Sequence, residues 1–520
     1  MAGAPEDHDR PLIPLPPGTR SWTAFALALG TFMQVLDMTI ANVSLPTIAG
    51  NLGVSANQGT WVITSFAVSN GISVPLTGWL MRRYGVVRTF VWSVALFTMA
   101  SFLCGIAWSF ESLIAFRVLQ GAVSGPMMPG SQALLMSIYP ASRRGTALAI
   151  WSMTTLIAPV AGPLLGGYIS DNWSWPWIFL INLPVGAIST FVCWKALHAR
   201  ETPTARVPVD WTGLVLLVIW VGALQVMLDT GRDADWFSSP WIVALAVVAA
   251  VGCTAFLIWQ LTEKHPIVDL GLFRMRNFTV GTLVTCVGYA VFFGNVVMLP
   301  LWLQTQLGYT ASWAGLVQAP AGLVALVVSP IAGRLVTRTD ARISACVSFV
   351  VMALGFYTRA LLNAEAAFVD FMLPMILQGV GVAFFFVSMV TITLDGIPPQ
   401  QIPAATSISN FLRITAAAFS TSLSTTLWDD RASLHQSRLA EASSAYDPLL
   451  QQTLGALRGI GLDEPQSIAA VMRAVMQQAY TIASLDYFYA STLIAAALAV
   501  LVWIARRPRI ASGLPPAAAD

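Results

Sequence analysis

The chain has 520 residues, of which 56% are hydrophobic and only 10% are charged, and its net charge is +2. Soluble globular domains carry about 25% charged residues, so this composition excludes a protein that faces water on all sides. The small net charge also argues against nucleic acid as a partner. Apolar stretches of about 20 residues without strict alternation favour membrane-spanning helices over barrel strands.

We therefore predict an all-α polytopic membrane protein with fourteen transmembrane helices. The polar, Pro-rich N-terminus has no short apolar segment followed by a cleavage site, so we expect no secretory signal. The predicted helix cores, in chain order, are 22–45, 59–80, 88–108, 111–135, 146–169, 176–197, 209–229, 240–261, 278–301, 311–334, 342–362, 367–393, 404–428 and 483–505. The predicted divisions are an N-terminal tail 1–21, a six-helix half 22–197, a linker with two inserted helices 198–265, a second six-helix half 266–505, and a C-terminal tail 506–520.

The distribution of basic residues predicts the orientation. Nineteen of the 27 Lys and Arg residues fall in loops and tails on the side that holds the N-terminus, whereas Arg232 and Arg359 depart from this distribution. Basic loops stay in the cytoplasm, and an even number of helices puts both ends of the chain on one side. We therefore expect both termini, with the tails 1–21 and 506–520, to be cytoplasmic.

The connection 429–480 is unusually long and lies on the predicted outer side. Six apolar residues within it recur at helical spacing, which predicts an amphipathic helix in a small folded cap: Ile468, Val471, Met472, Val475, Met476 and Ala479. The sequence leaves two interpretations open. The cap could rest as a lid on its own membrane domain, or it could provide a docking surface for a partner.

Asp37 is the candidate functional residue of the first helix. It lies in the segment 25–45, which is otherwise almost free of charge. A carboxylate near the middle of a membrane span is unfavourable by roughly 2.5–3.5 kcal/mol, so a chain that keeps one has a use for it. We predict that Asp37 carries protons, the alternative being a fixed structural ion pair. Gln34 and Ser44 share its helix face.

Polar stripes on two further helices should also point into the bundle and away from lipid. The fourth helix carries Arg117, Gln120 and Ser124, and the thirteenth carries Asn410 and Arg413. Either arginine could pair with Asp37, and Arg117 could tune that carboxylate or simply tie helices together. The candidate lining of a polar cavity is Gln34, Gln120, Ser124, Asn410 and Arg413.

A glycine- and arginine-rich loop motif follows the second helix. It comprises Gly78, Arg82, Arg83, Gly85 and Arg88, and a similar pattern recurs at 333–340. The motif resembles the loop signature G-x-L-x-D-R-x-G-R-x of the major facilitator superfamily, although Arg82 replaces its acidic residue. A pattern present in both halves fits the internal repeat of that fold. The alternative is a pair of glycine turns with basic anchors.

The fifth helix carries a Gly-Pro motif in residues 158–167, APVAGPLLGG. It resembles the superfamily's antiporter motif G-x-x-x-G-P-x-x-G-G, with Ala158 at the first glycine. Small residues spaced by four allow close helix contact, and prolines bend a helix, which suits an interface that moves during transport. The alternative is ordinary packing of small residues. The candidate packing residues are Pro159, Gly162, Pro163, Gly166 and Gly167.

Three further segments are similar to signatures of the fourteen-helix drug:proton antiporters of the EmrB and QacA type. They are LDMTIANVSLP at 36–46, FRVLQG at 116–121 and WPWIFLINLPVG at 175–186. The resemblance extends over about residues 22–505. It implies the major facilitator fold, with two six-helix halves plus two inserted helices. It also implies proton-coupled efflux of lipophilic or amphipathic toxic compounds and drugs across a bacterial inner membrane.

The same resemblance implies a periplasmic adaptor protein and an outer-membrane channel as partners in a tripartite efflux system. With proton coupling at Asp37 and Arg117, no cofactor, metal ion or catalytic residue is expected, and no Walker A motif is present for ATP. An alternative is a same-fold exporter of a dedicated physiological cargo, such as a siderophore, a phenolic acid or a fatty acid. A membrane sensor or enzyme would need clustered His, Asp or Glu residues, and we predict no enzyme.

Overall fold

The computed structural model describes residues 15–508, except 55, 60, 141–142, 206–207, 233, 265, 399–400 and 443–447. The tails 1–14 and 509–520 therefore lie outside the described residues. Throughout the described part the regular structure is helical, which confirms the all-α prediction. Ten of these helices are long and apolar enough to cross a membrane by length and composition.

Eighteen α-helices, joined by short loops and a few 3₁₀ turns, are present in the described residues. They are α1 Pro17–Asn51, α2 Ala56–Gly59, α3 Trp61–Tyr84, α4 Val86–Gly105, α5 Phe110–Ser124, α6 Met127–Ile138, α7 Arg144–Asn172, α8 Trp177–Leu180, α9 Asn182–Leu197, α10 Trp211–Thr230, α11 Pro240–Thr262, α12 Arg276–Thr305, α13 Ala311–Arg338, α14 Ala341–Ala360, α15 Met372–Thr393, α16 Ile402–Ala442, α17 Pro448–Gly459 and α18 Glu464–Leu501.

Each of the fourteen predicted spans has a counterpart among these helices, but two of the spans are broken. The fourth is α5 followed by α6, because Pro126 lacks a backbone donor and Gly125 packs against the backbone of α3. A Cβ atom on Gly125 would lie 2.6 Å from the backbone nitrogen of Val74. The sixth is α8 and α9, which meet at Ile181. The predictions of one helix at 111–135 and one at 176–197 were wrong at these points.

The segment 429–480, which we predict to lie on the outer side, consists in its described residues mainly of helix extensions and not of an independent cap. The helix α16 continues to Ala442, and α18 already begins at Glu464 behind the N-cap Asp463. The predicted amphipathic run therefore forms the first turns of α18. Trp428 fixes the two extensions together, since its ring lies 4.6 Å from that of Tyr480. The helix α17 connects them.

The two halves meet at the end of the bundle that carries the basic loops. Gly78 of α3 packs on Ala404 of α16, and a Cβ atom on Gly78 would lie 3.1 Å from the Cα atom of Ala404. Gly333 of α13 approaches Gly145 of α7 so closely that a Cβ atom on Gly333 would overlap the carbonyl oxygen of Gly145. These two contacts bring the halves into direct backbone contact at this end.

The inserted pair, α10 and α11, lies beside both halves. α10 packs on α3 of the first half and on α16 of the second. Ser422 of α16 donates a hydrogen bond of 2.7 Å to the carbonyl oxygen of Leu228 in α10. Trp236, just after α10, donates through Nε1 to Thr426 Oγ1 at 2.9 Å. The pair thus spans the boundary between the halves on one side of the bundle.

Candidate proton-coupling site

Asp37 and Arg117 form a buried ion pair inside the first half. Arg117 Nη1 lies 2.5 Å from Asp37 Oδ2, and the two side chains are 1% and 0% exposed. Asp37 lies in α1 and Arg117 in α5, so the contact joins two helices that are 80 residues apart in sequence. A buried pair is favourable only when further hydrogen bonds satisfy both groups, because each ion has lost its water.

Two amides complete the surroundings of the carboxylate. Gln120 Nε2 donates to Asp37 Oδ1 at 3.1 Å, and Asn182 Nδ2 donates to the same oxygen at 3.2 Å. Asn182 also donates to Ser101 Oγ at 3.0 Å. Three side chains from α5 and α9 therefore donate to Asp37. The sequence singled out Asp37, Arg117 and Gln120, whereas Asn182 and Ser101 were missed.

Arg117 is held on its other sides by a carbonyl group and two rings. Its Nε donates to the carbonyl oxygen of Val62 at 2.9 Å. Its guanidinium carbon lies 4.3 Å from the ring centroid of Phe66 and 5.6 Å from that of Phe179. Aromatic faces attract a cation at these distances. The positive charge of Arg117 is thus compensated by Asp37 and shielded from lipid.

The other predicted members of the polar stripes on α1 and α5 have separate surroundings. Ser124 accepts a hydrogen bond of 2.6 Å from Asn70 Nδ2 and donates to the carbonyl oxygen of Gly121. Gln34 is fully buried, and its amide atoms have no hydrogen-bond partner within the described residues. Neither side chain is exposed in this conformation.

Arg413 belongs to a second buried cluster, at the boundary between the halves. Its Nη2 donates to Asn410 Oδ1 at 2.5 Å. Its guanidinium carbon lies within 5.4 Å of three ring centroids, those of Trp151, Tyr289 and Phe386. Arg117, and not Arg413, is therefore the arginine beside Asp37. Asn410 and Arg413 lie together as expected, but away from Gln120.

The small residues of α7 press against α1 next to Asp37. A Cβ atom on Gly166 would lie 2.7 Å from the carbonyl oxygen of Ile40, and one on Gly162 would overlap the Thr39 hydroxyl. Thr39 and Ile40 follow Asp37 by two and three residues. The motif therefore fixes the backbone of α1 around the carboxylate. The side chains predicted at Pro159, Pro163 and Gly167 lie outside those described.

The loop motif has a carboxylate partner that the sequence did not reveal. Gly85 has φ +92°, a conformation that favours glycine, and it lies against Glu201. Glu201 accepts hydrogen bonds from the backbone nitrogens of Val87 at 3.0 Å and Arg88 at 2.8 Å, at the start of α4. A carboxylate is stabilising at a helix N-terminus. Arg82 instead donates to the carbonyl oxygen of Pro266 at 3.4 Å.

Arg83, the remaining member of the loop motif, packs on rings. Its guanidinium carbon lies 5.5 Å from the ring centroid of Trp79 and 5.7 Å from that of Tyr84.

In the described part of the chain, no group of three or more His, Cys, Asp or Glu side chains is placed to hold a metal ion. The polar groups that contact Asp37 are therefore the guanidinium of Arg117 and the amides of Gln120 and Asn182.

A family model described as Major Facilitator Superfamily matches residues 27–421. The chain belongs to the Major Facilitator Superfamily. Within this superfamily it is 48% identical over 491 residues to the multidrug export protein EmrB of Escherichia coli K12, covering 94% of this chain and 96% of that protein. It is 46% identical over 495 residues to the fatty acid resistance protein FarB of Neisseria gonorrhoeae, covering 95% and 98%. The resemblance to EmrB-type exporters is confirmed.

Solved structures of the superfamily share the fold. The proton:xylose symporter XylE superposes with a TM-score of 0.60 at 12% identity, covering 94% of this chain and 95% of that one. The human organic anion transporter MFSD10 gives a TM-score of 0.57 at 14% identity, covering 92% and 100%. The major facilitator fold predicted from the motifs is therefore confirmed. The superfamily indicates a polytopic membrane transporter and not an enzyme.

Proposed function

We propose that this chain is a proton-coupled antiporter that exports lipophilic or amphipathic toxic compounds and drugs across a bacterial inner membrane, with both termini in the cytoplasm. The observation that carries the proposal is the buried pair of Asp37 and Arg117, 2.5 Å apart inside the first half. The relatives named multidrug export protein EmrB support the choice of cargo. The proton gradient supplies the energy, and no cofactor takes part.

The coupling follows from the charge of Asp37. Deprotonated, the carboxylate is held by Arg117, Gln120 and Asn182. A proton on Asp37 removes its charge, so the ion pair loses its Coulomb attraction and Arg117 is left with neutral acceptors, among them Gln120 Oε1 and the carbonyl oxygen of Val62. The Thr39 and Ile40 backbone beside Asp37 packs directly on α7, which also contacts α13 of the second half. Protonation therefore acts on the helices that hold the halves together.

The partners form a second part of the proposal. In a tripartite system, a periplasmic adaptor would bind the extensions of α16 and α18. The adaptor would then link the transporter to an outer-membrane channel. The extensions support this because their surface carries exposed apolar side chains at Ile468, Met472 and Met476. The lid interpretation of the same segment remains the alternative, and adaptor binding to the isolated transporter distinguishes the two.

A dedicated physiological cargo is the second candidate function. It is favoured by one specific observation, the 46% identity to a protein named for fatty acid resistance. Export of a fatty acid and export of drugs use the same fold and the same coupling site. Competition between a fatty acid and a cationic drug for transport would separate a dedicated exporter from a general one.

The deciding experiment measures proton release from proteoliposomes after addition of a lipophilic compound. Wild-type protein should release protons, and the Asp37→Asn variant should not, because an amide of the same shape cannot carry a proton. Asp463→Asn is the matched control, since Asp463 is an exposed N-cap at the start of α18, where asparagine can also accept the hydrogen bond from the backbone nitrogen of Gln466. Equal proton release by the Asp37→Asn variant and the wild type would refute Asp37 as the carrier.

A further inference from the structure

The second half repeats the polar site of the first half with altered residues. Leu119-Gln120-Gly121 in α5 recurs as Leu377-Gln378-Gly379 in α15, and each triplet lies in the fourth spanning helix of its half. Gln120 contacts Asp37 in the first helix of its half. The equivalent first helix of the second half is α12, which packs on α15.

Asn295 occupies a position in α12 that is comparable to the position of Asp37 in α1. Both residues lie somewhat beyond the middle of the first helix of their half. Asp37 accepts a hydrogen bond from Asn182 in the last spanning helix of its half, and Asn295 donates one of 3.0 Å to Ser491 in the last spanning helix of the other. The carboxylate of the first half is thus an uncharged amide in the second.

The second half nevertheless buries an arginine beside this amide. Arg359 of α14 is 0% exposed, and its Nη1 donates to Asn295 Oδ1 at 3.4 Å. Among the described residues, no Asp or Glu oxygen lies within ion-pair distance of it. Its guanidinium carbon also lies 5.4 Å from the ring centroid of Phe356 and 5.7 Å from that of Phe488. A buried guanidinium without an anion is strongly unfavourable.

The unpaired nitrogens of Arg359 are arranged as in arginines that bind a carboxylate through two parallel hydrogen bonds. Its Nε and Nη2 both lack a hydrogen-bond partner in the described structure. These two nitrogens form one edge of the planar guanidinium, and two parallel N–H donors along an edge are the arrangement that binds a carboxylate bidentately. In Arg117 the corresponding Nε is already used, since it donates to the carbonyl oxygen of Val62.

A small cavity between α12, α13 and α15 shares Asn295 with this cluster, although Arg359 does not line it. Its volume is about 30 Å³, and its polar lining consists of Asn295, Gln318 and Gln378 within an otherwise apolar wall. Gln378 Oε1 is buried without a hydrogen-bond partner in the described residues, and this oxygen can accept a hydrogen bond from a water molecule but cannot bind an anion. The volume corresponds to one water molecule or one small charged head group and leaves no room for a whole drug molecule.

We propose that the free edge of Arg359, formed by Nε and Nη2, binds a monoanionic group in the second half, while Asn295 holds its Nη1. The ligand is either the carboxylate of an amphiphilic acid or a free halide ion. As a binding site the cluster is independent of the proposed antiport. If the site binds exported acids, this part of the proposal rests on the proposed antiport and restricts its cargo to acids.

The test uses the full-length protein in lipid nanodiscs, in chloride-free gluconate buffer and without a proton gradient. The midpoint of thermal unfolding and the heat of binding are measured with decanoate, with decanol as the uncharged match, and with chloride. The variants are Arg359→Gln and Asn295→Asp, and the latter supplies an internal carboxylate to Arg359. Arg232→Gln is the control, because Arg232 is a half-exposed arginine paired with Asp429.

We expect decanoate, and not decanol, to stabilise the wild type and the control. Arg359→Gln should bind decanoate roughly tenfold to hundredfold more weakly, the loss expected for a hydrogen bond to a charged group. Asn295→Asp should unfold at a higher temperature without ligand and also bind decanoate weakly. Stabilisation by chloride alone would identify a free anion as the ligand and refute the acid subsite.

Decanoate binding of wild-type strength in both variants would overturn the proposal. So would a failure of both decanoate and chloride to bind the wild type. Because binding is measured without a gradient, these outcomes are independent of proton release at Asp37. Loss of antiport with intact decanoate binding would refute the proposed function and leave the anion site standing.

Discussion

Ser407 Oγ donates a hydrogen bond of 2.7 Å to the carbonyl oxygen of Val74 and thereby joins α16 of the second half to α3 of the first. Asn410 Nδ2 makes a second connection, to Gln132 Oε1 of α6 at 2.9 Å. Both bonds lie toward the end of the bundle that we predict to be cytoplasmic. Opening of that end during transport must break them.

We predict that Ser407→Ala shifts the protein toward the conformation that is open at this end. Loss of one hydrogen bond of about 1 kcal/mol changes a two-state population about fivefold. The measurement is the distance distribution between nitroxide labels at Tyr84 and Arg338, which end α3 and α13. Longer distances should gain weight in the variant. The control is Ser437→Ala, since Ser437 bonds only within α16 to Leu434, and an unchanged distribution in Ser407→Ala would contradict the prediction.

Gly166→Ala should destabilise the protein through its contact with α1. The added Cβ atom would lie 2.7 Å from the carbonyl oxygen of Ile40, which is backbone and cannot move aside. Overpacking of this kind costs about 1–3 kcal/mol. The midpoint of thermal unfolding in detergent measures the loss. Gly455→Ala in α17 is the control, because its Cβ atom meets nothing within 4 Å, and a loss of equal size there would rule out the packing explanation.

Glu201→Gln should weaken the loop motif. The carboxylate accepts two backbone hydrogen bonds at the start of α4, from Val87 and Arg88. Loss of its charge there should cost about 0.3–1 kcal/mol, the usual worth of an anion at a helix N-terminus. We expect a lower unfolding midpoint than for Glu365→Gln, which alters an exposed glutamate. Equal midpoints for these two variants would show that the charge of Glu201 is unimportant.

The stability contributed by Asp340 should depend on pH. Asp340 lies just before α14, and the hydrogen bond from Arg342 Nη2 at 2.7 Å lowers the pKa of its carboxyl below the ordinary value of 3.8. A group whose pKa is lowered on folding stabilises the fold at a pH above its unfolded value, and this contribution disappears as the pH falls through the folded value.

The unfolding midpoint of Asp340→Asn should therefore lie below that of the wild type at neutral pH. The two midpoints should converge as the pH falls through and below 3.8. Thermal unfolding of both proteins over a pH series checks this. A difference that stays constant down to the most acidic buffer would mean that Asp340 acts through its shape at the N-cap and not through its charge.

The core of the candidate site could be predicted because its members follow simple rules. Asp37 and Arg117 are charges within apolar segments, and Gln120 lies one turn from Arg117. Helical periodicity alone places such residues on an inward face. Asn182 was missed because a single amide in an apolar helix has no periodic partner. Its role appears only when α9 is packed on α1.

Two other residues show why tertiary contacts are needed. From the sequence, Arg359 was only a departure from the charge distribution near the end of the predicted helix 342–362, whereas in the structure α14 continues to Ala360 and the side chain is completely buried. Glu201 was treated as part of a linker, although it reaches α4 more than a hundred residues earlier in the chain. Neither contact has a local signal, because the partners come together only when distant helices assemble.

The length of α16 has a mechanical consequence. Its 41 residues form one continuous helix, from the end of the bundle where the two halves meet to the extension that ends at Ala442. At 1.5 Å per residue this is a rod of about 60 Å, roughly twice the thickness of the hydrocarbon layer. Ser407 near one end and His435 near the other therefore tilt together. A protein bound at the C-terminal end of α16 would therefore be displaced whenever the transport cycle tilts this helix.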